Sequence, residues 1–340
     1  MRKNNKYKYL ILAVVFIAFV MGAYTLLRPP ESKPFPSVPL PTPVPAPAPA
    51  EPQPIPNVPL FDVSKYKSEP TISVYHADQG SVDNMPLETY LEGVTAQEMD
   101  PTWPVEALSA QAIACRTLTM NAIEAGTIKK LHHADVSTSK DELQAYAPKR
   151  VNENVKTAVQ KTRGQVLLYA GSLVNAIYSS SNGQIAATKE ESFPLEIEYP
   201  TPYFQPVTDN SYTYTPANLQ NWSVKIPGTE VAKACGYQGN PADISILEKG
   251  PSGRILYIGA GNKKIYGATF RKLIGYDRLK STLISDLTYD GSQFTFYGHG
   301  WGNGVGLCQW GAYTFAQQGM QAEDIVKYYY VGTTVHKLYE

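Results

Sequence analysis

Between Pro29 and Pro59 nearly every second residue is proline, in runs such as PLPTPVPAPAPAEPQPIPNVP. Proline offers no backbone N–H, so this stretch cannot build a hydrogen-bonded core. It adopts an extended polyproline II form of about 3.1 Å per residue and behaves as a semi-rigid spacer. A docking role for proline-binding partners is the lesser alternative to a stalk. Everything that can fold is therefore divided between the two sides of it.

On the N-terminal side, residues 1–8 carry Arg2, Lys3, Lys6 and Lys8, and residues 9–27 then run without a charge. That run is close to the roughly 20 residues needed to cross a bilayer as a helix. No small-x-small cleavage site follows it, which favours an uncleaved anchor over a removed secretory signal. The basic flank predicts a cytoplasmic N-terminus and an extracytoplasmic remainder at the cell membrane. The expected order is a basic tail (1–8), an anchor (9–27), a linker (28–60) and one folded region (61–340), large enough for a sizeable core.

Within that region the organising stretch is Met85 to Ala125. Val105, Leu108, Ala112, Cys115, Leu118 and Ala122 recur at three and four residues, which predicts a long helix with one apolar stripe. Thr102 is a candidate N-cap, and Pro104 suits the first turn. Glu98 falls in the tight connection before it, near its N-terminal end. Residues 87–94 read as a short helix and 71–76 as a strand. After Gly126 comes a polar insertion, then an amphipathic helix over 151–162. VLLY and LVNAIY read as a hairpin joined by Ala170-Gly171-Ser172, which ends in the turn-forming cluster SSSNG. Residues 188–214 form a long irregular segment, of the sort that is usually functional or disordered. Further strands follow around Gly-Pro-Ser-Gly, then a short helix at GATFRKLIG. A strand next passes through alternating glycines into a helix from about Leu307, and the tail gives a last short helix and strand. The fold class expected is α+β, a β-rich body with a long helix carrying the active-site end.

Three blocks in this region resemble one known family. LETYLEGVTAQEMDPTWPVEALSAQAIACRT, YSSSNGQ and GHGWGNGVGLCQWGAYTFAQQG are similar, in this order, to the signature blocks of the stage II sporulation protein D and amidase-enhancer family. The resemblance implies a lytic transglycosylase acting on peptidoglycan. Glu98 would protonate the glycosidic oxygen between N-acetylmuramic acid and N-acetylglucosamine. As carboxylate it would then help remove the proton from the C6 hydroxyl, closing a 1,6-anhydro ring. A hydrolase needs a second carboxylate, and this chemistry does not. The family further implies glycan stripped of stem peptides as substrate, a membrane-anchored amidase and other engulfment proteins as partners, and a role in sporulation.

Taken without the family, Glu98 is a solvated helix-start carboxylate. With it, Glu98 is the catalytic candidate, best served by a pKa raised through burial near Met99, Trp103 or Trp301. Arg116 is a candidate for a forked contact to a sugar or lactyl group, or else half of a buried ion pair. Gln111, Ser180, Ser181, Asn182, Tyr203, Asp209, Trp301, Asn303, Cys308 and Gln309 are the further substrate-binding candidates, with Tyr203 and Asp209 expected on a cleft wall. Trp301 and Trp310 can stack on sugars, although core packing suits Trp310 equally. The glycines at 298, 300, 302, 304 and 306 fit no nucleotide-binding motif and suggest close backbone approach or positive φ at a groove floor. Most family members have His where Asn303 stands and Ser where Cys308 stands, so an accessory acid–base role at 303 is not expected.

The chain balances 30 basic against 30 acidic residues, which argues against a nucleic-acid partner. Some relatives hold zinc in the insertion after the long helix. Here His132 and His133 lie alone there, short of a four-ligand set, while Cys115, Cys235 and Cys308 lie elsewhere. No metal or cofactor is expected, and three cysteines give no readable disulfide framework. The competing function is a non-catalytic glycan-binding module that enhances an amidase.

Overall fold

In the computed structural model, residues 52–340 are described, so the expected tail and anchor (1–8, 9–27) and most of the linker lie outside the described residues. Among the described residues no helix is long and apolar enough to cross a membrane. The end of the linker is not wholly a free spacer, because Ile55 is buried in the core.

The long helix is the axis of the fold. It runs over Val105–Ala125 (α2; α1 is Leu87–Glu98) and stops at Gly126, whose φ of 62° and N–H to the Ala122 and Ile123 carbonyls make a left-handed C-cap. Pro104 rather than Thr102 occupies the N-cap position. Thr102 turns its N–H and hydroxyl to Asp100 Oδ1 at 2.9 and 2.8 Å, so its side chain is spent on the preceding turn. The expected single stripe is also too narrow. Alanines at 107, 110, 112 and 114 and short polar side chains let neighbours close in all round, and Ser109, Gln111, Arg116, Thr117 and Thr119 are buried with the apolar residues.

Packed on α2 are α1, α3 (Glu153–Lys161), α5 (Gln309–Gln317), α6 (Ala322–Tyr329) and the strand Gln165–Tyr169. α1 extends four residues beyond the expected 87–94. It buries Leu87, Tyr90, Leu91 and Val94, and Glu98 is its last residue. Glu98 therefore stands at the carbonyl end of α1, not at the start of α2.

The strands are spread over five small sheets among the described residues, giving an α+β fold in place of one β-rich body. β1 (Thr71–His76) is flanked by antiparallel β2 (Ser81–Pro86) and parallel β3 (Val136–Ser137). β4 (Gln165–Tyr169) lies between β5 (Ser172–Leu173) and β14 (Thr334–Lys337). The expected hairpin is thus truncated. After Leu173 the chain departs, and Tyr178–Ser179 (β6) pairs in parallel with Leu307–Cys308 (β13). The first core gathers around these elements.

A second core is built by β7 (Asn221–Pro227), β9 (Ile255–Ala260), β12 (Gln293–His299) and α4 (Gly267–Ile274), with Trp222, Ile226, Ile258, Phe270, Phe294 and Phe296 inside. β12 is central between β11 (Ile284–Tyr289) and β7, and β9 between β8 (Ser245–Lys249) and β10 (Lys263–Tyr266). The Gly-Pro-Ser-Gly turn does join β8 to β9, as its composition predicts. All three cysteines are free and buried.

Candidate active site

The C-terminal end of α1, the β6–β13 pair and the glycine-rich segment 300–306 meet α4 of the second core along a cleft of about 560 Å³. Glu98, Tyr178, Ser180 and Gln309 line it from the first core, Trp301 and Asn303 from the glycine-rich segment, and Arg271 and Tyr276 from the opposite side. Among the residues lining it, Glu98 is the only carboxylate.

The Glu98 carboxyl is raised above its ordinary value. Burial is the main cause, opposed by the Ala145 N–H at 3.2 Å from Oε1 and by the Tyr178 hydroxyl, both of which favour the ionised form. Its place at the negative end of the α1 dipole works in the same direction as burial. No cation pairs with it among the described residues. Such a group holds its proton closer to neutral pH than a free carboxyl does, which suits a proton donor.

Gln309 fixes the backbone beneath this acid. Its Nε2 donates to the Glu98 carbonyl at 2.9 Å and approaches Gln111 Oε1 at 3.5 Å, while Gln111 Nε2 donates to Cys115 Sγ at 3.1 Å. Gln111 is wholly buried and reaches the cleft only through Gln309. Asn303 is held on three sides. Its Nδ2 donates to the Tyr178 carbonyl (3.2 Å), its Oδ1 accepts from Val305 N–H (2.7 Å), and its carbonyl accepts from Ser192 Oγ (2.6 Å). It shapes the wall. Trp301 exchanges backbone hydrogen bonds of 2.9 Å with Ser181 and carries Lys280 Nζ 5.2 Å from its ring centre.

Several expected ligands are internal instead. Arg116 is fully buried and grips Glu88 with two bonds, Nε–Oε1 at 2.9 Å and Nη2–Oε2 at 2.6 Å, with Nη1 given to the Gln165 carbonyl. It has no face left for a sugar. Asn182 donates to Asp209 Oδ2 at 2.8 Å, Tyr329 donates to the same oxygen at 2.7 Å, and Asp209 Oδ1 accepts from Ser211 N–H, so Asn182 and Asp209 staple the core. Tyr203 is buried with its hydroxyl accepting from Asn175 N–H, and Cys308 caps α5 through Gly311 N–H. Ser181 is buried behind Trp301. The wall expected from 203–209 is supplied by Ser192 and Phe193, because the aromatic and carboxylate side chains of 203–209 find partners inside. Trp310 tilts on Trp103 at 4.6 Å, which is packing.

The family model described as stage II sporulation protein matches residues 75–169. Stage II sporulation protein D of Bacillus subtilis strain 168 is 30% identical over 287 residues, covering 78% of each chain. This chain belongs to the stage II sporulation protein D family. The protein of the same name from Bacillus amyloliquefaciens is 27% identical over 281 residues, covering 79% of each chain, and the amidase enhancer of Bacillus subtilis is 28% identical over 293 residues, 72% of this chain and 40% of that one.

The family-matched region carries Glu98, Gln111 and Arg116, while Tyr178 and the glycine-rich block lie beyond it. In that block Gly306 has φ +66°, and a Cβ there would meet the Ile177 carbonyl oxygen at 2.0 Å. Only glycine lets β13 start against β6, so this glycine serves close backbone approach. Tyr178, Lys140, Arg271 and Tyr276 are cleft residues that the sequence did not single out. Tyr178 opens the YSSSNGQ block, where attention goes to the serine hydroxyls. Arg271 belongs to the short helix expected at GATFRKLIG, and nothing in that pattern marks it for the cleft. It is in fact buried, donating to the Leu279 and Lys280 carbonyls at 2.9 and 2.7 Å, and burial lowers its pKa to about 10. His132 lies against Glu142 at 2.8 Å, stacked on Tyr75, and no three His, Cys, Asp or Glu converge among the described residues.

Proposed function

We propose that this protein cleaves the glycan strands of peptidoglycan as a lytic transglycosylase, with Glu98 acting first as acid and then as base. The observation that carries the reading is the cleft with one partly buried carboxylate of raised pKa and no second carboxylate lining it. A two-carboxylate hydrolase would need an acid–base or nucleophile partner across the scissile bond. A sugar that attacks itself through its own C6 hydroxyl needs one group that gives a proton to the leaving oxygen and takes one from the hydroxyl. Gln309 and Gln111 hold that group in place, Asn303 shapes the wall beside it, and Trp301 and Ser180 offer a stacking face and a hydroxyl to the sugars. The charge-free run 9–27 and the proline-rich linker would tether the cleft outside the cell membrane, beside an amidase that strips stem peptides during sporulation.

The likeness to an amidase enhancer supports a second reading, in which the same cleft holds glycan without cutting it. One experiment separates the two. The purified domain and its Glu98→Gln variant are incubated with amidase-treated cell walls, and products are read by mass spectrometry. Release of 1,6-anhydromuramic ends by the wild type alone is expected. Binding without release by the wild type overturns the enzymatic reading.

A further inference from the structure

Beside the acid stands a group whose role nothing above assigns, Tyr178. It is placed by the β6–β13 pairing, lines the cleft with Glu98, and adjoins the carboxyl closely enough to favour its ionised form. Its hydroxyl also donates to Gln144 Oε1 at 3.2 Å. The orientation of the Gln144 amide is fixed, because its Nε2 gives to Thr119 Oγ1 at 2.8 Å and toward the Cys115 carbonyl at 3.5 Å, and a carbonyl can only accept. The next residue, Ala145, gives its N–H to Glu98 Oε1. A phenol has one proton and can also accept one, so the Gln144 oxygen and the Glu98 carboxylate compete for it, with the Cys115 sulfur beside them as a weaker acceptor.

We propose that Tyr178 is a positioning residue that serves Glu98 in both halves of its cycle. While Glu98 is protonated, the Tyr178 hydroxyl donates its hydrogen bond to Gln144 Oε1 and accepts one from the carboxylic acid. When Glu98 has given up its proton, the hydroxyl turns and donates to the carboxylate, leaving Gln144 Oε1 unfilled. No proton is gained or lost by the phenol in either half. The inference rests on the acid-then-base role proposed for Glu98. The other titratable groups facing that carboxyl are Tyr90 on α1 and Cys115 on α2, both pushed up by burial, the thiol to about 12, and Lys140 and Arg271 across the cleft. Tyr90 and Cys115 stay neutral through the working range.

The test follows the Glu98 side-chain carboxyl by ¹³C NMR titration in the wild type, Tyr178→Phe and Gln144→Met, with Glu98→Gln assigning the signal and thermal melting confirming folded protein. Losing a hydrogen bond to a charged group moves a carboxyl by about one pH unit, so Tyr178→Phe is expected to titrate about that much higher. Gln144→Met removes the strongest competitor for the phenol proton, leaving the carboxylate only the weak Cys115 sulfur to compete with, and is expected to titrate lower. In cleavage assays the basic limb of the pH profile follows each shift. An unmoved titration in folded Tyr178→Phe, or an upward one in folded Gln144→Met, overturns the proposal. So does a loss of activity in Tyr178→Phe that is uniform across pH, which marks a merely structural role. If the titrations shift as expected but the wild type releases no anhydro product, the hydrogen-bond coupling of Tyr178 to Glu98 stands while its service to a catalytic cycle falls with the catalytic reading of Glu98.

Discussion

Arg116→Met removes the guanidinium from a buried pair and leaves Glu88 behind, 6% exposed, accepting only from Tyr339 Oη at 2.7 Å and Gly164 N–H at 3.1 Å. Breaking a buried ion pair by removing one partner costs about 3–5 kcal/mol, because the remaining charge is uncompensated. With a urea m-value of about 3 kcal/mol/M the unfolding midpoint falls by roughly 1–1.7 M. The pH dependence has a sign that identifies the cause. In the wild type burial alone would raise Glu88, but the Arg116 charge and the bonds from Arg116, Tyr339 and Gly164 outweigh it and hold the carboxyl below its ordinary value. A depressed carboxyl contributes stability that is present above its unfolded pKa and lost as pH falls through the folded one. In Arg116→Met burial prevails, the Glu88 pKa rises, and protonation relieves the unpaired charge, so the stability gap to wild type narrows as pH falls below neutrality. Glu88→Gln added to Arg116→Met recovers part of the loss at neutral pH. Urea melts of the wild type and the two variants between pH 4 and 8 measure all of this. An Arg116→Met protein with an unchanged midpoint and weakened glycan binding would refute the reasoning and return Arg116 to the substrate.

Other outcomes are equally specific. Glu98→Gln is expected to abolish glycan cleavage and to melt no lower than wild type at neutral pH. A carboxyl whose pKa is raised by burial destabilises the fold as pH climbs through that value, and the amide does not ionise. Wild-type cleavage falls on the basic side once Glu98 ionises, at a pH above that of an ordinary carboxyl, as a pH–rate profile will record. Gln309→Leu breaks the bond to the Glu98 carbonyl and is expected to lower turnover by about 10- to 100-fold with little change in melting temperature, since small displacements of a catalytic group carry costs of that order. Gly306→Ala forces a Cβ onto the Ile177 carbonyl at a positive φ and is expected to cost at least ~2 kcal/mol, read as a lowered melting temperature.

Local pattern alone was enough for the long helix and its stop at Gly126 and for most of the short helices and strands after it, but it put Glu98 at the start of that helix instead of the end of the one before. Those elements follow from local causes: three-and-four spacing, a glycine that accepts left-handed backbone, and turn residues at fixed offsets. The three blocks also located the cleft, since Glu98, Ser180, Trp301, Asn303 and Gln309 all line it.

Which polar side chains line the cleft and which pair with each other was settled by the packing of the whole chain. Arg116, Asn182, Tyr203 and Asp209 look like ligands in a one-dimensional pattern. Their partners Glu88, Tyr329 and Asn175 come from separate parts of the chain, and a buried charge or amide is tolerable only where those partners meet it. The same holds for Tyr178 and Arg271, which reach the cleft because a parallel strand pair and a second core carry them there. Burial is a property of the whole packing, so the raised pKa of Glu98, on which the proposed chemistry rests, belongs to the fold and not to the helix end that carries it.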